Sequence, residues 1–169
     1  MNTKLGMHST WADSTLPVIP VSAEEQARRV EEAIAKRAYQ IFERRGGLAW
    51  HELEDWRRAE AELRCIHCFS RTIEDHTIVI GTDAECFAPN SIEIWAAPRQ
   101  ITICGHAHLR HSHAEEKGPG PADHRAFQSI DLPHPVDCAK AHAHVHNHCL
   151  EIKLPRLAVE AKLQHAGAA

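Results

Sequence analysis

The sequence predicts an α+β chain: a two-helix hairpin over residues 22–64, then an antiparallel β-sandwich over residues 69–156. Three observations predict it. A capping signal at Ser22 opens a long stripe of apolar residues at three- and four-residue steps. From residue 69 the apolar period falls to two. Proline-bearing turns then cut the remaining chain into short, evenly spaced runs of strand length.

Residues 1–21 carry Gly6, Pro17 and Pro20 without sustained periodicity and are expected to form a flexible arm. Ser22-Ala-Glu-Glu25 is a capping box, in which the Ser22 hydroxyl accepts from the Glu25 amide. Ala27, Val30, Ala33, Ile34, Ala38, Ile41 and Phe42 then mark one apolar helical face. Glu24–Arg28, Glu25–Arg29 and Glu32–Lys36 stand four residues apart in the favourable order. Gly46-Gly47 stops the helix, because glycine enters the left-handed region without steric cost. A shorter helix follows, with Leu53, Trp56, Ala59 and Leu63 on one face, and the two are expected to meet through Ile41, Phe42, Leu53 and Trp56.

Candidate strands are Thr77–Thr82, Ser91–Ala96, Gln100–Leu109, Ala126–Leu132, Lys140–His146 and Cys149–Leu154. The last two alternate apolar and polar residues on either side of Asn147-His148, the pattern of a half-buried antiparallel pair. The longest break, His111–His124, contains Gly118-Pro-Gly-Pro and reads as a loop. Residues 157–169 form a short tail.

Composition excludes several classes. With 169 residues and 43% hydrophobic content, the chain can hold one ordinary domain beside a small one. A formal charge of −4 argues against nucleic acid or an anionic membrane as partner. No apolar run approaches the length of a bilayer span, and the first residues lack a secretion signal's apolar centre. A cytoplasmic location is expected, where the six cysteines stay reduced or bind metal. There is no glycine-rich phosphate loop, no Gly-x-Ser-x-Gly and no His-Glu-x-x-His, so the chain is not expected to be an enzyme.

Two family resemblances sit on specific residues. Ile34-Ala-x-Arg-Ala38-Tyr39-x-Ile-Phe-Glu-x-Arg, with Leu53-Glu-Asp-Trp56-x-x-Ala59-Glu60-x-x-Leu63, resembles a short bacterial helical module of unknown function. Further on come Ile78-Val-Ile80 with Ile92-Glu-Ile94, Gln100-Ile-Thr-Ile-Cys-Gly105, Ser129-Ile-Asp-Leu132-Pro133-x-x-Val136, and Asn147 with Leu150 through Arg156. In that order these resemble the α-crystallin domain of the small heat-shock proteins, an immunoglobulin-like sandwich. The chain departs from the family pattern at His148, where a turn glycine is usual, so Asn147 is expected to take a positive φ. Gln128 replaces a usual arginine, and Leu157-Ala-Val159 lies too close to the last strand to act as a far-reaching docking tail, which argues against large cages.

The resemblance implies an ATP-independent holdase that binds unfolding or misfolded proteins, as a homodimer or small oligomer. Its client groove is expected along Ile92, Ile94, Val145 and Leu150, with sealed core positions as the alternative for each. Ile19 and Val21, on either side of Pro20, have the anchor geometry of a docking motif, or else form a patch packing on the hairpin. A protein-binding, co-chaperone-like adaptor is the first competing function.

Histidine supplies the second. There are fifteen, and protonating them all carries the formal charge from −4 to +11. His142, His144, His146 and His148 alternate along one strand, and His106 and His108 run along another. Neighbouring imidazoles suit Zn²⁺ or Ni²⁺, and Cys65-Ile-His67-Cys68 supplies half a zinc site. A metal-binding or buffering protein follows from these rows, whereas the holdase reading needs no cofactor. Like charges on one strand face also predict that mild acid weakens the sandwich.

Overall fold

The computed structural model describes residues 13–47, 49–64, 69–84, 87–88, 90–106 and 125–157. Two helices are followed by two packed sheets. The elements are β1 (Ser14–Leu16), β2 (Val18–Pro20), α1 (Ala23–Arg44), α2 (Glu52–Leu63), β3 (Phe69–Glu74), β4 (Thr77–Asp83), β5 (Glu93–Ala97), β6 (Gln100–His106), β7 (Arg125–Asp131), β8 (His142–His146) and β9 (Cys149–Pro155). A five-stranded sheet runs β1-β8-β9-β4-β3, and a four-stranded sheet runs β2-β5-β6-β7. All pairs are antiparallel except β2–β5, which is parallel.

The inner faces are aliphatic, as the low aromatic content requires. Ile78, Ile80, Ile94, Ile101, Ile103, Val145, Leu150, Ile152 and Leu154 are fully buried between the sheets. In β4, β8 and β9 burial alternates strictly, because the outer face of the five-stranded sheet meets solvent. β5 and β6 are buried at nearly every position instead. The reason is a third layer.

The helical hairpin, expected as a unit of its own, lies on the outer face of the four-stranded sheet. Leu63 of α2 joins Trp95, Cys104 and Phe127 in a second apolar cluster, with Val30, Ala33 and Ile34 of α1 packed against it. Arg29 lies over the Trp95 ring at 5.0 Å, a cation–π contact. A buried polar clamp fixes the register: Thr102 Oγ1 donates to Gln26 Oε1 at 2.8 Å, and Gln26 Nε2 donates to the Val21 carbonyl at 2.9 Å. Gln26 is off the predicted apolar stripe, yet it is among the most buried side chains of α1.

Local signals behave as their chemistry dictates. Ser22 Oγ accepts from the Glu25 amide at 3.2 Å, while the Glu25 carboxylate turns to Arg28 and Arg29 rather than back to the cap. Gly46 and Gly47 end α1 at φ 86° and 69°. Asn147 has the expected positive φ of 47°, and His148 follows at 67°, which together match a two-residue type I′ hairpin turn. Within the hairpin Leu53 is exposed, against expectation, and Asp55 takes the buried place, held by Arg45 at 2.7 Å.

Three boundaries need correction. Residues 14–16 and 18–20, expected within a flexible arm, are strands. β3 precedes the first strand expected. The penultimate strand begins at His142 because Cys138–Lys140 is a single 3-10 turn capped by Asp137. The expected extension of β6 beyond His106, the loop after it and the tail beyond Leu157 lie outside the described residues.

Candidate functional site

The two ends of the sandwich differ. At one end the N-terminal segment seals both sheets. β1 adds antiparallel to the edge of β8, with Ser14 opposite Val145 and Leu16 opposite Ala143. Two residues later β2 adds parallel to the edge of β5, with Val18 opposite Ile94 and Pro20 opposite Ala96. Leu16 and Val18 pack against the sandwich core from this strap. Pro17 lies between the two strands, where an amide donor is dispensable.

The opposite end is open. β3 is the last strand of its sheet, with β4 on one side and, among the described residues, no strand on the other. All six of its residues are exposed. Phe69, Arg71 and Ile73 stand opposite Thr82, Ile80 and Ile78, so they belong to the inner face. The five-stranded sheet is one strand wider than its partner, and Phe69 and Ile73 remain 43% and 46% exposed at its rim. Arg71 reaches across to the Asp131 carbonyl of β7 at 3.3 Å, tying the two edges together. An open edge beside apolar side chains can take up an extended chain through backbone hydrogen bonds and apolar burial.

The expected groove is not a groove. Ile92, Ile94, Val145 and Leu150 all lie in the sandwich core, because each occupies an inward position that the opposing sheet or the strap covers. Of the two expectations for Ile19 and Val21, a docking motif or packing on the hairpin, Val21 follows the second. Leu16 and Val18 face the core, Ile19 is exposed, and Val21 packs instead against the cluster under α1.

His142, His144 and His146 do project from the solvent face of β8, while His148 is exposed in the turn. Their neighbours are mixed: Lys153 stands opposite His142, Glu151 opposite His144 and Cys149 opposite His146. No three histidine, cysteine, aspartate or glutamate side chains converge on a metal position among the described residues. His106 is exposed at the end of β6, and His108, Cys65 and Cys68 lie outside the described residues. Burial pushes the Cys104 thiol up to about 12 and raises that of Cys138, so both stay protonated near neutrality.

Sequence reasoning missed Phe69, Ile73, Leu16 and Val18 as site residues. The signal for β3 was the alternation in Phe69-Ser-Arg71-Thr-Ile73 before a turn at Asp75, which has φ 43°. For β1 and β2 the only signal was apolar spacing around two prolines.

Residues 29–64 match the family described as protein of unknown function (DUF2934). That match lies on α1 and α2, the segment expected to resemble a helical module of unknown function. A search of the curated proteins finds no match. The solved structures similar to this chain are small heat-shock proteins. A Del-C4 mutant of hsp14.1 from Sulfolobus solfatataricus P2 is 18% identical, with 72% of this chain and 97% of that chain covered and a TM-score of 0.44. A small heat-shock protein from Xylella fastidiosa is 16% identical, covering 62% and 98% at a TM-score of 0.44. Heat shock protein 16.0 from Schizosaccharomyces pombe is 14% identical, covering 62% and 97% at 0.42. Likeness at this level carries no argument about activity, and the sandwich rests on the strand pairing above. No helix among the described residues is long and apolar enough to cross a membrane.

Proposed function

We propose that the chain is an ATP-independent holdase that takes up extended segments of unfolding proteins at the open β3 edge. The observation that carries this reading is β3 itself: an edge strand exposed along its whole length, flanked by half-exposed Phe69 and Ile73. Natural sheets usually protect such an edge with charge, proline or cover. Here Arg71 and Glu74 are the strand's only charges, and the chain leaves two large apolar side chains beside the backbone. Binding of this kind is non-directional and backbone-driven, so it needs neither a fixed client sequence nor a nucleotide. The residues that resemble the small heat-shock family fall in β4 through β9, on the framework that presents this edge. The protein acts in this reading as a cytoplasmic homodimer or small oligomer.

A second reading is favoured by one observation on the hairpin. Trp50 is 92% exposed at φ 80°, a conformation that a bulky residue rarely adopts, and Tyr39 of α1 and Leu53 of α2 are exposed as well. Such anchors suit one folded partner, which is the adaptor function.

Light scattering of two unrelated, thermally unfolding clients in ATP-free buffer separates the two. A holdase suppresses both near stoichiometric ratio. Suppression of neither would move the adaptor reading to the front.

A further inference from the structure

We propose that the helical hairpin is the lock on the N-terminal strap, so that the strap opens only when the hairpin lifts from the sheet. Residues 14–21 hold themselves weakly. β1 and β2 are three residues each, Leu16 and Val18 are only partly buried, and Ile19 is 40% exposed. Pro17 and Pro20 have no amide to donate. A segment with so few buried apolar contacts sits at the low end of local stability unless another element holds it.

What holds it is α1. One residue beyond β2, the Val21 amide donates to the Ala96 carbonyl at 2.9 Å and continues the pairing with β5. The Val21 carbonyl accepts from Gln26 Nε2, and Gln26 Oε1 accepts from Thr102 Oγ1 in the middle of the sheet. Because the Thr102 proton goes to Gln26, Ser129 Oγ, at 3.0 Å, donates to Thr102. A chain of hydrogen bonds thus runs from the strap through α1 to β6 and β7. Gln26 and Thr102 are each 1% exposed, so no water substitutes for these bonds while the hairpin is docked. Val21 also packs into the apolar cluster that the hairpin makes with Trp95, Cys104 and Phe127.

The hairpin itself is tied down at both edges of the four-stranded sheet. Its chain enters from β2 beside β5 and leaves at Arg64, which bridges to Phe127 of β7 on the opposite edge. Between these anchors Leu63 is buried and Arg29 covers the Trp95 ring. Lifting the hairpin removes the support under Val21, and the strap follows. The edges of β5 and β8 and the core beneath Leu16 and Val18 are then uncovered. Such edges accept an extended chain by strand addition, as β3 does, but only in the undocked state.

Cys104 reports on the lock, because its thiol is 1% exposed and packed under the hairpin. In the full native chain, the opening equilibrium read from modification of Cys104 by N-ethylmaleimide, resolved by peptide, is compared with that read from hydrogen exchange of the strap amides. The β4 and β9 amides mark global unfolding. The two openings are expected to agree within about twofold and to be more frequent than global unfolding. Leu63→Ala, next to the Arg64 anchor, is expected to raise both together by about tenfold or more. Strap amides that exchange while Cys104 stays protected overturn the proposal, and so do openings that merely track β4 and β9. A Leu63→Ala chain with faster Cys104 modification and native strap protection overturns it as well. No client enters these readouts, so they stand or fall apart from holdase activity.

Discussion

The two ends of the sandwich are built from the same kind of strand and finished in opposite ways. At the β5/β8 end, seven residues of the N-terminal segment close both sheets and press Leu16 and Val18 onto the core. At the other end, β3 stops the wider sheet with no strand paired to its outer edge among the described residues. The difference shows that apolar content alone does not mark a binding surface. Val145, Leu150 and Ile73 are all aliphatic, yet the first two are sealed and Ile73 is reachable.

Substitution should separate the ends sharply. Leu150→Ala removes a fully buried side chain, and the cavity is expected to cost about 2–5 kcal/mol in urea unfolding. Ile73→Ala, at the open rim, is expected to change stability by only about 0.5 kcal/mol. Similar losses at both sites would mean that the open end is covered in solution.

A smaller effect sharpens the contrast from a third region. The Arg45 guanidinium holds the Asp55 carboxyl below its usual range, and Arg28 with Arg29 holds Glu25 down at about 2. Carboxylates lowered in the folded state stabilise it above their unfolded pKa, and that contribution is lost as pH falls through the lowered values. The hairpin is therefore expected to lose helical circular dichroism between pH 4 and 2. In Asp55→Asn the loss at neutral pH should already be present and the acid step smaller. An acid transition identical in both proteins would place the sensitivity elsewhere.

Much of this architecture was legible in the sequence, for stated physical reasons. The Ser22 cap, the Gly46-Gly47 stop and the Asn147 turn are local, and local chemistry decides them. The strands from Thr77 to Leu154 follow from alternation. What escaped depends on long-range pairing. No local signal reveals that Leu16 and Val18 complete two sheets from a position more than 70 residues before β5. The burial of β5 and β6 on both faces was hidden for the same reason, since it depends on where α1 and α2 land. Of the four alternating histidines, His142, His144 and His146 lie on the solvent face of β8, whereas His148 falls in the turn. Pairing adds what alternation alone could not reveal, Glu151 opposite His144 and Asp13 against His146.

Client holding at the open β3 edge makes one sharp demand: charging its rim must abolish protection. It is tested most directly by light scattering of two unfolding clients with the native chain and with Phe69→Lys/Ile73→Lys. These substitutions charge the rim without touching the sealed core, and circular dichroism should confirm an unchanged fold. The native chain is expected to suppress aggregation of both clients, and the charged variant to lose most of that protection. Full protection by the charged variant would contradict it.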